Sequence, residues 1–201
     1  YFDFTGYVDM ATGAAMLFNI RLPQNFNSPF KANSLINFWQ RWHMTLTSFL
    51  TNYIFNPSVK ALKEVTFVKM MLIIIMVFII CGFWHGPSWM YGFFGLLHGL
   101  GLVVNHIFNK LFNFKLPKIF SWFLTFTYVN LTFIFFRTQN FDNAILVISK
   151  MFGLNKIGEG VFLTKEFYIL IALIIVCFII NSLFKNSYEL FSKYLYFKGN
   201  N

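Results

Sequence analysis

The side chains of this sequence best suited to proton transfer near neutral pH are its four histidines, His43, His85, His98 and His106. A neutral imidazole accepts a proton at physiological pH and so serves as a general base. His85 is the strongest candidate, because an uncharged run leads up to it and Gly86 and Pro87 then interrupt the helix. Such a break would let the imidazole face a cavity walled by Trp84 and Trp89. The alternative is a core histidine bonded to a neighbouring carbonyl.

The other three histidines have weaker claims to chemistry. His43 lies one turn before Thr47 and could orient a substrate or stabilise an oxyanion, with a capped interfacial histidine as the alternative. His98 lies among apolar residues, seven positions before Asn105 on nearly the same helix face. The spacing predicts a hydrogen bond between them, and a packing role for His98 is the alternative. His106, at the end of an apolar run, is expected to be solvated.

Other reactive constellations are missing from the sequence. It has no phosphate-binding glycine loop, no nucleophile elbow and no metal-spaced cysteine cluster, so we predict neither a metal site nor a bound cofactor. Cys81 and Cys177 each lie within apolar runs and are interpreted as small core residues. Charges within a membrane protein usually find partners. We therefore expect the early acidic residues to pair with arginines, Asp3 and Asp9 with Arg21 or Arg41.

The composition indicates a membrane protein. The 201 residues are 57% hydrophobic and 22% aromatic, and 11% are charged, whereas a soluble domain carries about 25% charged residues. The net charge of +9 comes from basic residues scattered between apolar runs, as expected of headgroup-facing loops. This distribution favours the lipid bilayer as a partner and argues against nucleic acid.

Long apolar segments predict the elements that must position the histidines. A membrane span needs about 20 mostly apolar residues. Met70 to Asn109 contains no Asp, Glu, Lys or Arg and fits two spans, or one span and a broken helix. Further spans are predicted from Leu116 to Phe136 and from Phe162 to Leu183. Because loop charges are basic throughout, they leave the orientation open.

Shorter elements precede and separate these spans. We predict a tightly packed helix from Asp9 to Ile20, irregular chain from Arg21 to Lys31, and an interfacial helix from Asp142 to Phe152. Ser34 is predicted to cap a helix from Leu35 to Tyr53. Its polar stripe would comprise Arg41, Thr45, Ser48 and Asn52. The basic, aromatic tail from residue 185 is expected to be interfacial or frayed. The predicted fold is an all-α polytopic transmembrane helix bundle with short interfacial helices, in one membrane domain spanning residues 1–201.

Several blocks of the sequence together resemble one family. These blocks are DFTGYVDMA at 3–11, RLPQNFNSPF at 21–30, FWQRWHMTLT at 38–47, GFWHGPSW at 82–89 with a Gly-x-x-His-Gly echo ending at 99, and FIFFRT at 133–138 with FGL at 152–154. In this order they resemble the membrane-bound O-acyltransferases, and in particular the alginate O-acetylation branch. The resemblance implies a multi-helix membrane bundle around a tunnel. Because the chain begins inside the family domain, we expect it to be the C-terminal part of that fold, truncated at its N-terminus.

The resemblance also implies site residues and reactants. The histidine of the Trp-His-Gly block is the catalytic one and maps to His85, and His43 lies in the same site. Substrate-binding or tunnel-lining positions are expected at Trp84, Trp39, Arg41, Trp42, Asn25, Asn27, Trp89 and His98. The implied reaction moves an acetyl group from a cytoplasmic thioester, acetyl-CoA, toward an exported cell-envelope polysaccharide. A periplasmic SGNH-type acetyltransferase is the expected partner, and the bacterial inner membrane the expected location.

Three alternatives stay open at this level. D-alanyl transfer to teichoic acid shares the blocks around Asn25 and Trp39. A haem-binding or transport subunit could use His85 and His98 as ligands flanking the helix break, and the chain could also be a non-catalytic remnant. One departure concerns Leu50 to Ser58, where relatives carry an Arg-Asp pair and a glycine-rich loop that this chain lacks. Partner docking or donor entry at that loop is therefore expected to differ.

Overall fold

A computed structural model describes residues 1–112, 114, 116–154 and 164–190. The described part contains helices and irregular chain and no β-strand. The helices are α1 (Phe2–Leu17), α2 (Leu35–Trp39), α3 (Met44–Leu50), α4 (Asn56–Lys60), α5 (Phe67–Trp84), α6 (Trp89–Leu111), α7 (Lys118–Arg137), α8 (Phe141–Met151) and α9 (Lys165–Leu183). A short 3₁₀ turn (Pro29–Lys31) precedes α2, and a π-helical turn (Thr51–Phe55) joins α3 to α4.

Four of these helices are long and apolar enough to cross a membrane. They are α5, α6, α7 and α9, with mean hydropathies of 2.6, 1.3, 1.6 and 2.4. The 40-residue apolar run therefore forms two spans, with the predicted break at residues 85–88 between them. The expectation of an all-α polytopic bundle is confirmed. The predicted start of the last span, at residues 162–163, lies outside the described residues.

Helices α5 and α6 form a hairpin whose backbones touch. A Cβ atom added at Gly82 of α5 would overlap the carbonyl oxygen of Tyr91, and one added at Gly95 of α6 would overlap the carbonyl oxygen of Phe78. Small residues at such positions let membrane helices approach closely. The hairpin therefore depends on glycine on both sides of its interface.

The short helices pack against both helices of this hairpin. One buried cluster joins α2 to α6 and α7, and comprises Ala32, Leu35, Phe38, Trp39, Leu102 and Val129. A second cluster joins α3 to α5, and comprises Leu46, Leu50, Ile73, Val77 and Cys81. The segment between residues 32 and 50 is thus clamped between the membrane helices, and it carries one candidate histidine.

The predicted single helix from Leu35 to Tyr53 is wrong. Ser34 caps α2 as expected, since its hydroxyl accepts a hydrogen bond from the Asn37 amide at 3.1 Å. However, α2 ends at Trp39, and α3 begins only after His43, whose backbone is left-handed. The break separates residue 41 from the predicted polar stripe. Its physical reason is pairing with residues 25–27, which supply hydrogen bonds that a continuous helix would otherwise make with itself.

The remaining short elements lie close to their predicted positions. Helix α1 begins at Phe2, earlier than expected, and ends at Leu17. None of its residues is buried, so the predicted tight packing of this helix is wrong. Helix α8 covers the segment predicted to form a short helix and is capped by the side chain of Asn140. The described start of the tail is held by hydrogen bonds, since Asn186 donates to side-chain oxygens of Asn27 and Ser28, each at 3.1 Å. The rest of the predicted interfacial tail, residues 191–201, lies outside the described residues.

Candidate active site

His85 sits where the α5–α6 hairpin reverses. Its backbone amide donates to the carbonyl of Gly82 at 3.0 Å, which closes α5. Gly86 follows with φ +154°, a conformation that disfavours any side chain, and a Cβ there would lie 2.9 Å from the Tyr91 ring. The hydroxyl of Ser88 then accepts from the Met90 amide at 3.3 Å and caps α6. These contacts hold the half-buried imidazole at a defined point of the turn.

Aromatic rings from three membrane helices surround His85. Its ring centroid lies 4.8 Å from that of Trp84 at the end of α5 and 4.9 Å from that of Phe136 in α7. Tyr91 in α6 lies 6.3 Å away. The wall of the site is therefore assembled by packing between helices that are distant in the sequence.

His43 is held in place by a second loop. The Asn27 amide donates to the carbonyl of Arg41, and the Met44 amide donates to the carbonyl of Asn25, each at 2.9 Å. The Asn25 side-chain oxygen also accepts from the Thr45 hydroxyl at 2.9 Å, near the start of α3. Between these bonds the His43 backbone adopts φ 44° and ψ 53°.

This backbone conformation is costly for histidine. A non-glycine residue in the left-handed region costs about 1–3 kcal/mol and persists only where its surroundings impose it. Such strain is frequent at functional sites. The paired segments 25–27 and 41–45 supply the constraint, so the position of His43 is imposed rather than incidental.

The His43 ring lies in an aromatic recess. Phe4 of α1 packs against it at 5.0 Å between centroids, and Phe26 lies 6.3 Å away. Its buried Nδ1 atom has no hydrogen-bond partner among the described residues. Leaving a buried polar atom without a hydrogen bond costs a protein about 1–3 kcal/mol of stability. The Nδ1 atom of His43 therefore remains available to form a hydrogen bond.

Trp84 brings the two histidines into one site. Its ring lies 6.2 Å from the His43 ring and 4.8 Å from the His85 ring. Burial lowers the pKa of both imidazoles below the usual 6.5, and for His85 a charge on His43 lowers the pKa further. Both rings are therefore neutral near pH 7, and each has a nitrogen free of a proton.

Three of the other predicted tunnel residues position the site. Arg41 donates to the Asn37 side chain at 3.1 Å and to the Asn27 carbonyl at 3.2 Å. These bonds correct the expected pairing of Arg41 with an aspartate, and Asp9 accepts instead from the Ser187 hydroxyl at 2.8 Å. Asn25 and Asn27 form the paired loop described above. The residues thus brace the segment that carries His43.

Trp39 and His98 lie in the core. The Trp39 indole donates to Nδ1 of His98 at 3.2 Å, and the Thr132 hydroxyl lies 2.9 Å from Nε2 of the same ring. His98 is fully buried, which leaves no surface for a substrate. Its predicted bond to Asn105 is wrong, because that side chain accepts from the Ile36 amide at 3.2 Å. The alternative of a packing histidine is the one the structure adopts.

The remaining two tryptophans differ in position. Trp42 is half-buried and stacks on Phe38 at 5.5 Å, within the aromatic cluster next to His43. Trp89 is 79% exposed, and its ring packs against Phe83 at 5.8 Å. Trp89 borders a separate apolar pocket of about 300 Å³, whose lining does not include either site histidine. The predicted wall of two tryptophans around His85 is therefore corrected to Trp84 with Phe136.

Sequence reasoning missed several rings of the site. Phe136 lies within the FIFFRT block, but nothing local shows that it contacts His85. Tyr91 carries a weak signal, since a side chain at Gly86 would collide with its ring. Phe4 lies within the first motif block, without a sign of its contact with His43. In the described part of the chain, no group of three or more His, Cys, Asp or Glu side chains could hold a metal ion.

A match to a protein-family sequence model identifies the family of this chain. Residues 1–140, which include both site histidines and their aromatic wall, match the sequence model described as MBOAT, membrane-bound O-acyltransferase family. The chain belongs to this family. The resemblance predicted from the motif blocks is confirmed, and the membrane-bound O-acyltransferase assignment accounts for the apolar helices around the histidine pair.

Individual relatives of this chain are named for different polymers. It is 45% identical over 162 residues to a peptidoglycan O-acetyltransferase of Helicobacter pylori, covering 79% of this chain and 30% of the relative. It is 32% identical over 153 residues to the "probable alginate O-acetylase AlgI" of Azotobacter vinelandii, covering 76% and 30%. It is 33% identical over 158 residues to a teichoic acid D-alanyltransferase of Streptococcus thermophilus, covering 68% and 38%. The chain thus spans about a third of the length of these relatives.

Proposed function

We propose that this chain is the histidine-bearing membrane domain of an O-acyltransferase in the bacterial inner membrane. The enzyme would move an acetyl group from cytoplasmic acetyl-CoA toward an exported polysaccharide of the peptidoglycan or alginate type. The observation that carries the proposal is the convergence of His43 and His85 on Trp84 within the family-matched residues. The 45% identity to a peptidoglycan O-acetyltransferase favours acetyl as the acyl group.

His85 is proposed as the general base. Its neutral imidazole takes the proton of an acceptor hydroxyl, and the oxygen attacks the thioester carbonyl carbon. Collapse of the tetrahedral intermediate breaks the carbon–sulfur bond, and the imidazolium proton passes to the departing thiolate. The products are an ester and a free thiol. A positioned general base contributes about 10²–10⁴-fold to such a step.

His43 is proposed to orient the hydroxyl or support the oxyanion. Its unpartnered Nδ1 and its place beside the shared Trp84 ring support this role. The proposed tunnel would bring donor and acceptor to these rings from opposite sides of the membrane, which contributes proximity. A separate periplasmic SGNH-type acetyltransferase is proposed to receive the acetyl group. The altered segment at Leu50–Ser58, which contains the π-helical turn, is where docking of that partner is expected to differ.

D-alanyl transfer to teichoic acid is the second candidate, favoured by the 33% identity to a teichoic acid D-alanyltransferase. Labelled donors separate the two, since acetate or D-alanine is recovered from the polymer after mild alkali. The haem alternative is weaker, because both ring nitrogens of His98 are engaged by Trp39 and Thr132. A purified protein without a Soret band would exclude it.

The decisive experiment replaces His85 in the full-length protein. His85→Ala and the closer mimic His85→Gln are expected to lower polymer acetylation at least about 10²-fold while membrane insertion is unchanged. His106→Ala is the matched control, because His106 lies in α6 and outside the site, and it should acetylate normally. Near-normal acetylation in the His85 variants would remove this residue from its proposed role.

A further inference from the structure

His98 is a buried histidine for which the proposed chemistry has no use. It is fully buried in α6, yet both ring nitrogens have partners from other helices. Trp39, at the end of α2, donates to Nδ1 at 3.2 Å, and Thr132 of α7 lies 2.9 Å from Nε2. Buried polar groups persist where their hydrogen bonds are complete, so the ring joins three helices at one point.

The donors and acceptors of this network allow one protonation state. An indole N–H only donates, so Nδ1 of His98 must be unprotonated to accept from Trp39. The single proton of a neutral ring then lies on Nε2 and is donated to the Thr132 hydroxyl oxygen. The Thr132 hydroxyl in turn donates to the carbonyl of Val129 at 2.8 Å. A second proton on the ring would place two N–H groups of His98 and Trp39 against each other.

One arm of the network leads to His43. Trp39 is the last residue of α2, four positions before His43, and the intervening segment is the one paired with residues 25–27. Phe38, next to Trp39, packs parallel to the His98 ring at 6.4 Å and stacks on Trp42 at 5.5 Å. If the hydrogen bond between His98 and Trp39 shifted, α2 would therefore move and displace His43, the residue with the left-handed backbone.

The other arm leads to His85. Thr132 lies one helical turn before Phe136, whose ring packs on the His85 ring at 4.9 Å. Phe94 of α6 makes the same link through side chains, since its ring lies 4.6 Å from the His98 ring and 5.1 Å from the Phe136 ring. The His98 network thus borders the supports of both site histidines.

We propose that His98 is a positioning residue, which in its neutral Nε2-protonated form locks α2 to α6 and α7 and so sets the spacing of His43 and His85. The activity part of this proposal rests on the proposed function. Its physical basis is that a half-satisfied buried network is less stable than a complete one, so neither arm can shift alone. A misplacement of about 1 Å at a reacting centre costs on the order of 10²-fold in rate.

The sharpest perturbation is at Thr132 in the full-length protein in lipid nanodiscs. Thr132→Val keeps the shape but removes the acceptor of the His98 proton, whereas Thr132→Ser keeps the hydroxyl and is the matched control. With radiolabelled acetyl-CoA and native membranes as acceptor, the valine variant should lose about 10²-fold in kcat with little change in the KM for acetyl-CoA. The serine variant should stay within a few-fold of the wild type. A folded valine variant with wild-type kcat would overturn the proposal.

Two substitutions of His98 test its two hydrogen bonds separately. His98→Asn offers an acceptor to Trp39 in place of Nδ1, and His98→Gln offers a donor to Thr132 in place of Nε2. Each should retain more activity than His98→Leu, which removes both bonds. Equal activity of all three folded variants would overturn the positioning role.

A spectroscopic measurement tests the protonation state without any activity. NMR of isotope-labelled histidine in the wild type, with His98→Gln for assignment, should show one ring protonated at Nε2 from about pH 5 to about pH 8. A signal from an Nδ1-protonated or titrating His98 would overturn the proposal. If the wild type shows the expected signal but transfers no acetyl group, the proposed function fails while the locked network stands.

Discussion

Replacement of Gly82 by alanine should drive α5 and α6 apart. The added Cβ would overlap the carbonyl oxygen of Tyr91 and lie 2.9 Å from its carbonyl carbon and 3.2 Å from the Gly95 nitrogen. All three are backbone atoms, so no rotamer change relieves the contact. Overpacking of this kind costs about 1–3 kcal/mol, and backbone contact places it at the upper end. Alanine recovers up to about 1 kcal/mol through its higher helix propensity, which leaves a net loss of about 2 kcal/mol.

Gly13→Ala in α1 is the matched control. Nothing lies within 4 Å of a Cβ at Gly13, so this variant should be neutral or more stable by up to about 1 kcal/mol. The difference between the two variants, about 3 kcal/mol, isolates the cost of the clash. Because Gly82 also accepts the amide bond of His85, the helix separation should reach the site and lower acetylation as well.

Denaturant titration of the purified proteins in detergent, followed by tryptophan fluorescence, measures this difference. Acetylation is measured in parallel on intact membranes. A Gly82→Ala protein as stable as the wild type would refute the argument that backbone contact holds the hairpin. Lost stability with normal acetylation would refute only the link from the hairpin to His85.

Three further predictions concern the site and its supports. Because burial lowers the pKa of His85 below 6.5, acetylation should fall by half only at a pH below 6.5, and a midpoint at or above 6.5 in a pH–rate profile would contradict the assignment. Asn25→Ala removes the oxygen that holds Thr45 and should destabilise the protein by about 1 kcal/mol in denaturant titration, whereas Asn25→Asp keeps an acceptor and should recover most of it. Asn186→Ala removes two hydrogen bonds to the 25–31 loop and should increase amide hydrogen exchange there, and unchanged exchange would show that the tail does not order the loop.

Local patterns were sufficient for much of the fold. The uncharged run and the Gly86–Pro87 pair correctly predicted a break, and two spans was one of the two expected arrangements. Ser34 correctly predicted a helix start. The ordered motif blocks identified the family. These features depend on residues close together in the sequence, where apolar length, capping and turn preference act directly.

The composition of the site was decided by tertiary packing. The helix break was expected to place Trp89 beside His85, and one helix was expected to run through His43, and both predictions were wrong. Trp84 contacts both histidines because the hydrogen bonds from residues 25–27 interrupt the helix before residue 43 and hold that residue in place.

The sequence by itself determined that this is a membrane acyltransferase-family chain with a histidine at a helix break. Only the tertiary structure decided which rings meet that histidine, and it moved His98 from the predicted tunnel to the core. The physical reason is that an apolar side chain is stabilised by burial against any apolar surface, so its residue type does not specify which helix it will contact. Which faces touch is set by close backbone contact at glycines and by hydrogen bonds between distant segments, and neither leaves a local pattern.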